Sequence, residues 1–279
     1  MKKSTLTKYL SAQLASSKTM MTAAADLPSP ELARGSGRFV GSKGGAGVWQ
    51  RIISEMPPHD LYVEAFAGTC QVLLHKRPAR SSIAIDSDAE LCQALIDSLS
   101  DEAGVSVVCG DAISWLEKHR GHFDSKTVLY LDPPYLFDVR ACPGRRYYQQ
   151  EFGEDDLHAH LLAVLSRISS PVLISGYRSD LYDRQLGHWR RVDYRTATRG
   201  GPVTESLWCN FDAPAQLHDY RFLGSGFRER ERLKRKKRRW LEKLRRMTPV
   251  EAAAVLAAID EWRRDGAPSP EAVLRSASL

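Results

Sequence analysis

Residues 127–135 read TVLYLDPPY, and this short segment decides how the rest of the chain is interpreted. Its first five residues are mostly apolar, which is typical of a strand buried inside a parallel sheet. The two prolines that follow Asp132 lack backbone N–H groups and hold a rigid turn. The segment therefore predicts a buried strand that ends in a fixed loop carrying Asp132 and Tyr135.

Short apolar runs and helical stretches alternate on both sides of this segment. The spacing of apolar residues also predicts a helix at 48–56, which Pro57 and Pro58 stop. Strands alternating with helices over about 150 residues predict a doubly wound, mostly parallel α/β sheet of Rossmann-like type. The strands are predicted at LYVEAF (61–66), SIAIDSD (82–88), VSVVCGD (105–111) and PVLISGY (171–177), with helices at 68–76, 89–99, 112–119 and 155–168 and an added antiparallel strand at SLWCNF (206–211).

Four acidic residues fall at the predicted strand ends: Glu64, Asp86, Asp111 and Asp132. In such sheets a ligand binds beyond the carboxyl ends of the strands. Glu64 opens a turn that contains Gly68, and an acid there favours a ligand with positive charge, although the turn also fits a plain strand–helix connection. No glycine-rich phosphate loop is present.

The acids of the next two strands have different candidate roles. Asp86 is placed to accept hydrogen bonds from the two hydroxyls of a ribose, whereas Asp88 fits a helix-capping acid better. Asp111 either accepts a hydrogen bond from an adenine amino group or caps the helix that begins after it. The sequence leaves both roles of Asp111 open.

The Asp132-Pro133-Pro134-Tyr135 turn suits chemistry on the amino group of a base. Such a nitrogen is a poor nucleophile because its lone pair is delocalised into the ring. A carboxylate from Asp132 and a backbone carbonyl can accept hydrogen bonds from that NH2 and make it more nucleophilic, while Tyr135 offers a face for an extruded base to stack on. The alternative is a rigid turn in which the acid stands by chance.

These motifs resemble those of the Dam-type DNA adenine-N6 methyltransferases, particularly the compact kind found in phages and prophages. The resemblance covers roughly residues 37–245. Ala65 and Ser42 depart from it, since the family usually has Pro and Gly there. By resemblance, the catalytic residues are Asp132, Pro133, Pro134 and Tyr135, and the cofactor-binding residues are Phe39, Lys43, Glu64, Phe66, Ala67, Gly68, Asp86, Asp111, Ala112 and Asp132.

The resemblance implies transfer of a methyl group from S-adenosylmethionine to the N6 amino group of adenine in double-stranded DNA. It implies that the base is flipped out of the duplex and that neither a metal ion nor a covalent enzyme intermediate is needed. Other acceptors with the same fold are cytosine N4, adenine in RNA and a protein glutamine. A nucleic-acid-binding protein with an inactive methyltransferase core is the alternative of another class.

The segment 136–151, which follows the turn, is the predicted target-recognition element. It is short, so a short or relaxed target sequence is expected. Its side chains suit phosphates and stacked bases, and Arg199 in another loop adds a further contact. The candidate residues of the segment are Arg140, Arg145, Arg146, Tyr147 and Tyr148.

Positive charge is concentrated near the C-terminus. The chain carries a net charge of +6, yet residues 221–246 alone hold thirteen Lys and Arg against three Glu, a local balance of +10. This segregation predicts a phosphate-binding helix with Lys234, Lys236 and Lys237 among its contacts. A solvated coiled-coil face and a dimer contact are the alternatives. Thr248 begins a second helix with a capping box.

The chain is divided by composition into a tail at 1–36, a catalytic domain at 37–215 and a basic helical extension at 216–279. No signal peptide and no membrane-spanning run are predicted, so we expect a cytoplasmic protein. The five cysteines have no metal-ligand spacing and are expected to be reduced thiols. No catalytic role is expected for His158, His160 and His188, which are predicted to lie on the surface or on helix faces.

Overall fold

The computed structural model describes residues 43, 47–100, 102–136, 155–198 and 201–265. Strands and helices alternate along these residues as the sequence predicts. The strands are β1 Leu61–Ala65, β2 Ser81–Asp86, β3 Val105–Cys109, β4 Thr127–Leu131, β5 Val172–Gly176, β6 Arg190–Thr198 and β7 Gly201–Cys209. The helices are α1 Val48–Ile53, α2 Gln71–His75, α3 Ala89–Leu99, α4 Ala112–His119, α5 Asp155–Leu165, α6 Asp180–Leu186, α7 Phe227–Arg246 and α8 Pro249–Arg264, with a 3-10 turn at Arg120–His122.

The strands form one seven-stranded sheet in the order β3-β2-β1-β4-β5-β7-β6. Neighbours among β1 to β5 pair in parallel, and β7 pairs antiparallel with both β5 and β6. The predicted Rossmann-like, mostly parallel sheet is therefore confirmed, including the antiparallel strand around residue 206.

Side chains alternate between two apolar layers, one on each face of the sheet. On β4, Leu129 and Leu131 point into the layer covered by α4, α5 and α6, whereas Val128 and Tyr130 point into the layer covered by α1, α2 and α3. Both layers are needed because parallel strands bury both faces. Asp132 follows Leu131 and so continues on the side of Tyr130 and α1.

The strand order reverses between β1 and β4. From β1 the chain adds strands outward on one side, and from β4 it adds them on the other. Ala65 and Leu131 pair at the carboxyl ends of these two strands, and the Asp132 N–H donates to the Ala65 carbonyl at 3.3 Å. A reversal of this kind leaves a crevice beyond the strand ends, where ligands of such sheets bind.

The hairpin of β6 and β7 extends past the end of β5. β6 and β7 pair over nine residues each, from Arg190↔Cys209 to Thr198↔Gly201. β5 pairs only with the last part of β7, and its final residue, Gly176, lies opposite Ser206. Residues 201–205 with their partners on β6 therefore project beyond the sheet, on the edge where Asp132 lies.

Two elements were not predicted from the sequence: β6 and the short helix α6. The residues of β6 alternate between apolar and charged without a continuous apolar run, because the strand lies at the edge of the sheet and is partly exposed. Helix α6 has only seven residues, which is shorter than the range over which helical periodicity is informative.

The C-terminal helices α7 and α8 contain no buried residue. Helix α7 contacts the rest of the chain at Lys237, whose Nζ donates to the Tyr220 carbonyl at 2.8 Å. The predicted capping box at the start of α8 is present, with Thr248 and Glu251 bonded to each other. No helix among the described residues is both long enough and apolar enough to cross a membrane.

We expect Gly104→Ala to lower the free energy of unfolding by about 1–3 kcal/mol. Gly104 lies just before β3 with φ +84°, and an added Cβ would stand 2.8 Å from the Arg80 carbonyl oxygen. Urea denaturation measures the change. Gly121→Ala is the matched control, since a Cβ there meets nothing within 4 Å. Equal stability of the two variants would contradict this account of the turn.

Candidate active site

Asp132 directly follows β4, at the carboxyl ends of β1 and β4, and 16% of its side chain is exposed. Its Oδ1 atom is 2.9 Å from Lys43 Nζ and accepts a hydrogen bond from Ser175 Oγ at 2.9 Å. The Tyr135 hydroxyl donates to the same oxygen at 3.5 Å. Every hydrogen bond and ion pair that the described residues make with this carboxylate is to Oδ1.

Lys43 is a buried cation shared by two carboxylates. Its side chain is only 8% exposed, and its Nζ lies 3.2 Å from Glu205 Oε2 as well as 2.9 Å from Asp132. Burial lowers the pKa of Lys43, but attraction to the two acids outweighs burial and holds that pKa well above its usual range. Lys43 also contacts the Tyr135 hydroxyl. The residue therefore stays charged in the site.

Glu205 on β7 is the second carboxylate that pairs with Lys43. It lies on β7, is 6% exposed, and accepts a hydrogen bond from the Tyr194 hydroxyl at 2.9 Å. Because β6 pairs Tyr194 with Glu205 directly, the strand register itself brings these two side chains together. The pair fixes the position of the Lys43 ammonium group.

Burial raises the pKa of the Asp132 carboxyl, and the Lys43 ammonium limits that rise. Without a charged partner, removal of the carboxyl group from water would favour its neutral, protonated form. The ion pair therefore favours the ionised carboxylate, which is the form that accepts hydrogen bonds through both oxygens. Ser175 adds to this effect and is itself in contact with Tyr130, whose hydroxyl is 3.0 Å from Ser175 Oγ.

Aromatic rings line the site beside Asp132. The Tyr135 and Tyr177 rings have centroids 4.5 Å apart and an interplanar angle of 57°. Tyr177 directly follows β5, so the two rings come from neighbouring strand ends. They provide flat apolar faces next to a carboxylate, which is the combination that a planar heterocycle with an amino group requires.

Asp86 connects the ends of β1 and β2. Its Oδ2 accepts from the Gly68 N–H at 2.8 Å, and its Oδ1 accepts from the Asp88 N–H at 3.0 Å. Asp88 caps α3 by accepting from the Glu90 and Leu91 N–H groups, which confirms the expected helix-capping role. Asp86 holds the β1 turn close to the second strand while each of its oxygens keeps acceptor capacity for a ligand.

Glu64 lies beneath the turn rather than at its surface. It is 3% exposed, and its Oε2 accepts from the Tyr62 hydroxyl at 2.9 Å and from the Leu73 N–H at 2.8 Å. The residue before α2, Cys70, supplies no side-chain cap, so Glu64 supplies one from the neighbouring strand. Burial raises the pKa of Glu64 to about 8.

The other cofactor-binding candidates are distributed along the same edge. Phe66 and Gly68 both have positive φ angles, +58° and +51°, so the turn after β1 bends sharply beside Asp86. Ala67 and Ala112 are buried. Asp111 caps α4 by accepting from the Ser114 N–H at 2.8 Å, which is one of the two roles left open by the sequence.

Several candidate residues lie outside the described part of the chain. They are Phe39 of the predicted cofactor site and the predicted nucleic-acid contacts Arg140, Arg145, Arg146, Tyr147, Tyr148 and Arg199. Lys234 and Lys236 are exposed on α7, and Lys237 is exposed but donates to Tyr220. The roles given to all these residues stay predictions.

His158 was predicted to lie on the surface or on a helix face; it lies on a helix face, and that face is buried, since its side chain is 1% exposed and contacts the Asp132–Tyr135 turn. Sequence analysis also missed Ser175 and Glu205, which both touch the Asp132–Lys43 pair. Glu205 had a detectable signal, since it is an acid beside the apolar run of an added strand. Ser175 had none, because a serine in an apolar strand is unremarkable by pattern alone.

No protein-family model matches the chain, and no curated protein matches it either. Solved structures with a similar arrangement of strands and helices align with part of it. One is a precorrin-8w decarboxylase from Methanobacterium thermoautotrophicum, with 13% identity and a TM-score of 0.38, covering 62% of this chain and 96% of that one.

Two further solved structures are similar to this chain. A SAM-dependent methyltransferase from Agrobacterium tumefaciens has 13% identity, a TM-score of 0.40 and covers 58% of each chain. TrmN from Thermus thermophilus has 14% identity, a TM-score of 0.41 and covers 58% of this chain and 48% of that one.

We expect Glu64→Gln to change how stability depends on pH. The folded pKa of about 8 exceeds the ordinary value of 4.5, so folding takes up a proton between these pH values. The contribution of Glu64 to stability is therefore complete below pH 4.5 and is lost as pH rises through about 8. The neutral amide removes this loss, and the stability of the variant relative to wild type should rise by about 1–3 kcal/mol between pH 5 and pH 8.

Urea denaturation at a series of pH values measures this relative stability. Glu102→Gln, at an exposed position, is the control and should track wild type at every pH. If the stabilities of Glu64→Gln and wild type changed in parallel between pH 5 and pH 8, Glu64 would be ionised in the folded protein over that range, contrary to this prediction.

Proposed function

We propose that the protein transfers a methyl group from S-adenosylmethionine to the N6 amino group of adenine in DNA. One observation carries the proposal: the Asp132 carboxylate stands at the switch point of the sheet, held through Oδ1 by Lys43 and Ser175, with Oδ2 uncontacted by the described residues. A carboxylate arranged in this way can accept a hydrogen bond from a substrate amino group without giving up its own supports.

The chemistry requires two acceptors for the two hydrogens of the amino group. Asp132 Oδ2 is the first. The Pro134 carbonyl accepts from His158, whereas no described residue donates to the Pro133 carbonyl, so Pro133 supplies the second. Drawing both hydrogens into these bonds pulls the nitrogen out of conjugation with the ring, and its lone pair then faces the carbon that it attacks.

The proton released by methyl transfer has a defined acceptor nearby. The new N–C bond would form as the bond between the methyl carbon and sulfur breaks, with the electron pair left on sulfur as a neutral thioether. The nitrogen would become cationic and would lose a proton to Asp132. Burial raises the pKa of this carboxyl, which strengthens it as a base. Lys43 remains charged throughout, so it stabilises the ionised form of Asp132 before the reaction and promotes its return to that form afterwards.

The residues along the strand ends fit the cofactor. Asp86 keeps acceptor capacity for ribose hydroxyls beside the positive-φ turn of Phe66 and Gly68. When bound, S-adenosylmethionine supplies an electrophilic methyl group on a sulfonium centre. Glu64 supports this turn from below through the Leu73 N–H, and Asp111 lies at the start of α4 on the same edge.

Tyr135 and Tyr177 hold the base itself. A base inside a duplex cannot reach a carboxylate between strand ends, so it has to be flipped out of the stack. The two rings offer it apolar faces in place of its former neighbours. The segment 136–151 reads the target, and its few residues favour a short or relaxed recognition sequence.

Helix α7 binds the phosphate backbone in this proposal. Most of its side chains are exposed and none is buried, and the local excess of positive charge around it is +10. Contacts of this kind carry no sequence information, but they raise affinity in a salt-dependent way.

We expect Asp132→Asn to abolish methyl transfer while leaving S-adenosylmethionine binding largely intact. The amide preserves the shape of the side chain but removes the proton acceptor, and the expected loss of kcat is at least about 10²-fold. Tritium transfer to DNA measures kcat, and calorimetry measures cofactor affinity. Asp60→Asn, at an exposed position, is the control. Full activity of Asp132→Asn would refute the assignment of Asp132.

Digestion of the methylated substrate to nucleosides identifies the acceptor. Label in N6-methyldeoxyadenosine supports the proposal. Label in N4-methyldeoxycytidine, in methylated adenosine from RNA or in a protein glutamine assigns the other acceptors of the same fold. Absence of cofactor binding in calorimetry would indicate an inactive nucleic-acid-binding protein instead.

We expect Lys234→Ala/Lys236→Ala to weaken duplex DNA binding by a similar factor for every sequence. The slope of log affinity against log salt should fall by about 2, because each lost phosphate contact removes about one released counterion. Fluorescence anisotropy between 50 and 200 mM salt measures the slope. Arg263→Ala/Arg264→Ala on α8 removes the same charge. If the two double variants behave alike, α7 makes no specific phosphate contacts.

A further inference from the structure

His158 connects the Asp132–Tyr135 turn to the core of the protein. It lies in the first turn of α5 and is 1% exposed. Its Nε2 atom is 3.0 Å from the Pro134 carbonyl oxygen, and its Nδ1 atom is 2.9 Å from the Tyr182 hydroxyl. A buried imidazole with both ring nitrogens engaged has one defined orientation.

The chemistry of the partners fixes the direction of both hydrogen bonds. A carbonyl oxygen can only accept, so Nε2 carries the proton and donates to Pro134. In the neutral ring, Nδ1 then has a lone pair and accepts from the Tyr182 hydroxyl. The result is a directed chain from Tyr182 through His158 to the backbone of the turn.

The far end of this chain is anchored in the apolar core. Tyr182 is 2% exposed and packs against Trp208, with ring centroids 4.9 Å apart. Both rings pack against Gly176, where a Cβ would stand at ordinary contact distance, 3.5 Å from Trp208 and 3.7 Å from Tyr182. Tyr182 therefore has little freedom to move, and neither has the imidazole that it holds.

We infer that His158 is a positioning residue that sets the orientation of the Pro133–Pro134 backbone for methyl transfer. This inference rests on the proposed function. The proline rings fix φ, and Pro134 also restricts ψ of the preceding Pro133, so ψ of Pro134 is the backbone angle of the turn that needs an external constraint. The hydrogen bond from His158 to Pro134 supplies it, because the Pro134 peptide group cannot then rotate independently of the core.

The hydrogen bond from His158 also gives the Pro133 and Pro134 carbonyls different roles. With Pro134 engaged by His158, the Pro133 carbonyl remains as the acceptor for the substrate amino group. A shift of about 1 Å in a reacting geometry can cost about 10²-fold in rate. Loss of the imidazole donor should accordingly reduce kcat more than it changes the binding of substrate or cofactor.

The test compares His158→Leu with His158→Gln in the full-length protein. Leucine fills the space but has no donor, whereas the glutamine side-chain amide can place an N–H near the position of Nε2. We expect His158→Leu to lower kcat for methyl transfer roughly tenfold to hundredfold, with KM for DNA and Kd for S-adenosylmethionine within a few-fold of wild type. His158→Gln should restore kcat to within a few-fold of wild type.

His160→Leu is the matched control on the same helix, since His160 is 53% exposed and contacts only Glu117 among the described residues. It should leave kcat unchanged. Thermal unfolding of each variant shows whether it is folded. Wild-type kcat for His158→Leu would overturn the inference, and so would an equal loss of kcat in folded His158→Gln and His158→Leu, which would indicate packing alone.

If His158→Leu does not fold, the Tyr182→Phe variant tests the inference instead. This variant keeps the ring packing and removes only the hydroxyl that orients the imidazole, so a fall in kcat at unchanged Kd is expected and wild-type kcat would overturn the inference. Failure of the proposed function is a separate result, since it appears as absence of methylated adenine with the wild-type protein.

Discussion

The buried ion pair between Lys43 and Asp132 is the constraint on which the site depends. Removing two charges from water is unfavourable unless each is closely paired and hydrogen-bonded. Here Glu205 and Ser175 complete the pairing, with Lys43 Nζ 3.2 Å from Glu205 and Ser175 Oγ 2.9 Å from Asp132. The four residues come from four separate parts of the chain, so the site can exist only when Lys43 and the strands β4, β5 and β7 are already aligned. The ionised acid is thus a product of the complete fold.

Much of the architecture could be predicted because its signals are local. The apolar run at residues 127–131 is enough by itself to predict a buried strand. Thr248 and Glu251, three residues apart, are enough to predict the start of a helix. Asp132 was identifiable because the prolines beside it mark an abrupt strand end. Lys43 was also identified as a site residue, but its contacts with Asp132 and Glu205 were not predictable, because they depend on strand order and register. The burial of the helix face that carries His158 was not predictable either, because it depends on α5 packing over the turn.

The C-terminal helices α7 and α8 differ from the rest of the described chain because they contribute nothing to the apolar core. The sheet and helices α1 to α6 share two apolar layers, whereas α7 and α8 bury none of their residues. A helix without buried contacts gains little from tertiary packing. The basic residues of α7 therefore face solvent. For this reason the charge of residues 221–246 was evident from the composition, although it gave no information about how the sheet is built.

The Asp132 peptide extends the β1–β4 ladder by one residue, through its N–H bond to the Ala65 carbonyl. Its position is set by the sheet, and His158 secures the turn a few residues further on. The chain between Leu136 and Asp155 consequently begins and ends at two fixed points. If this stretch reads the target, as we propose, its length and composition can change without moving the acid. Target preference could then be engineered separately from the residues around Asp132.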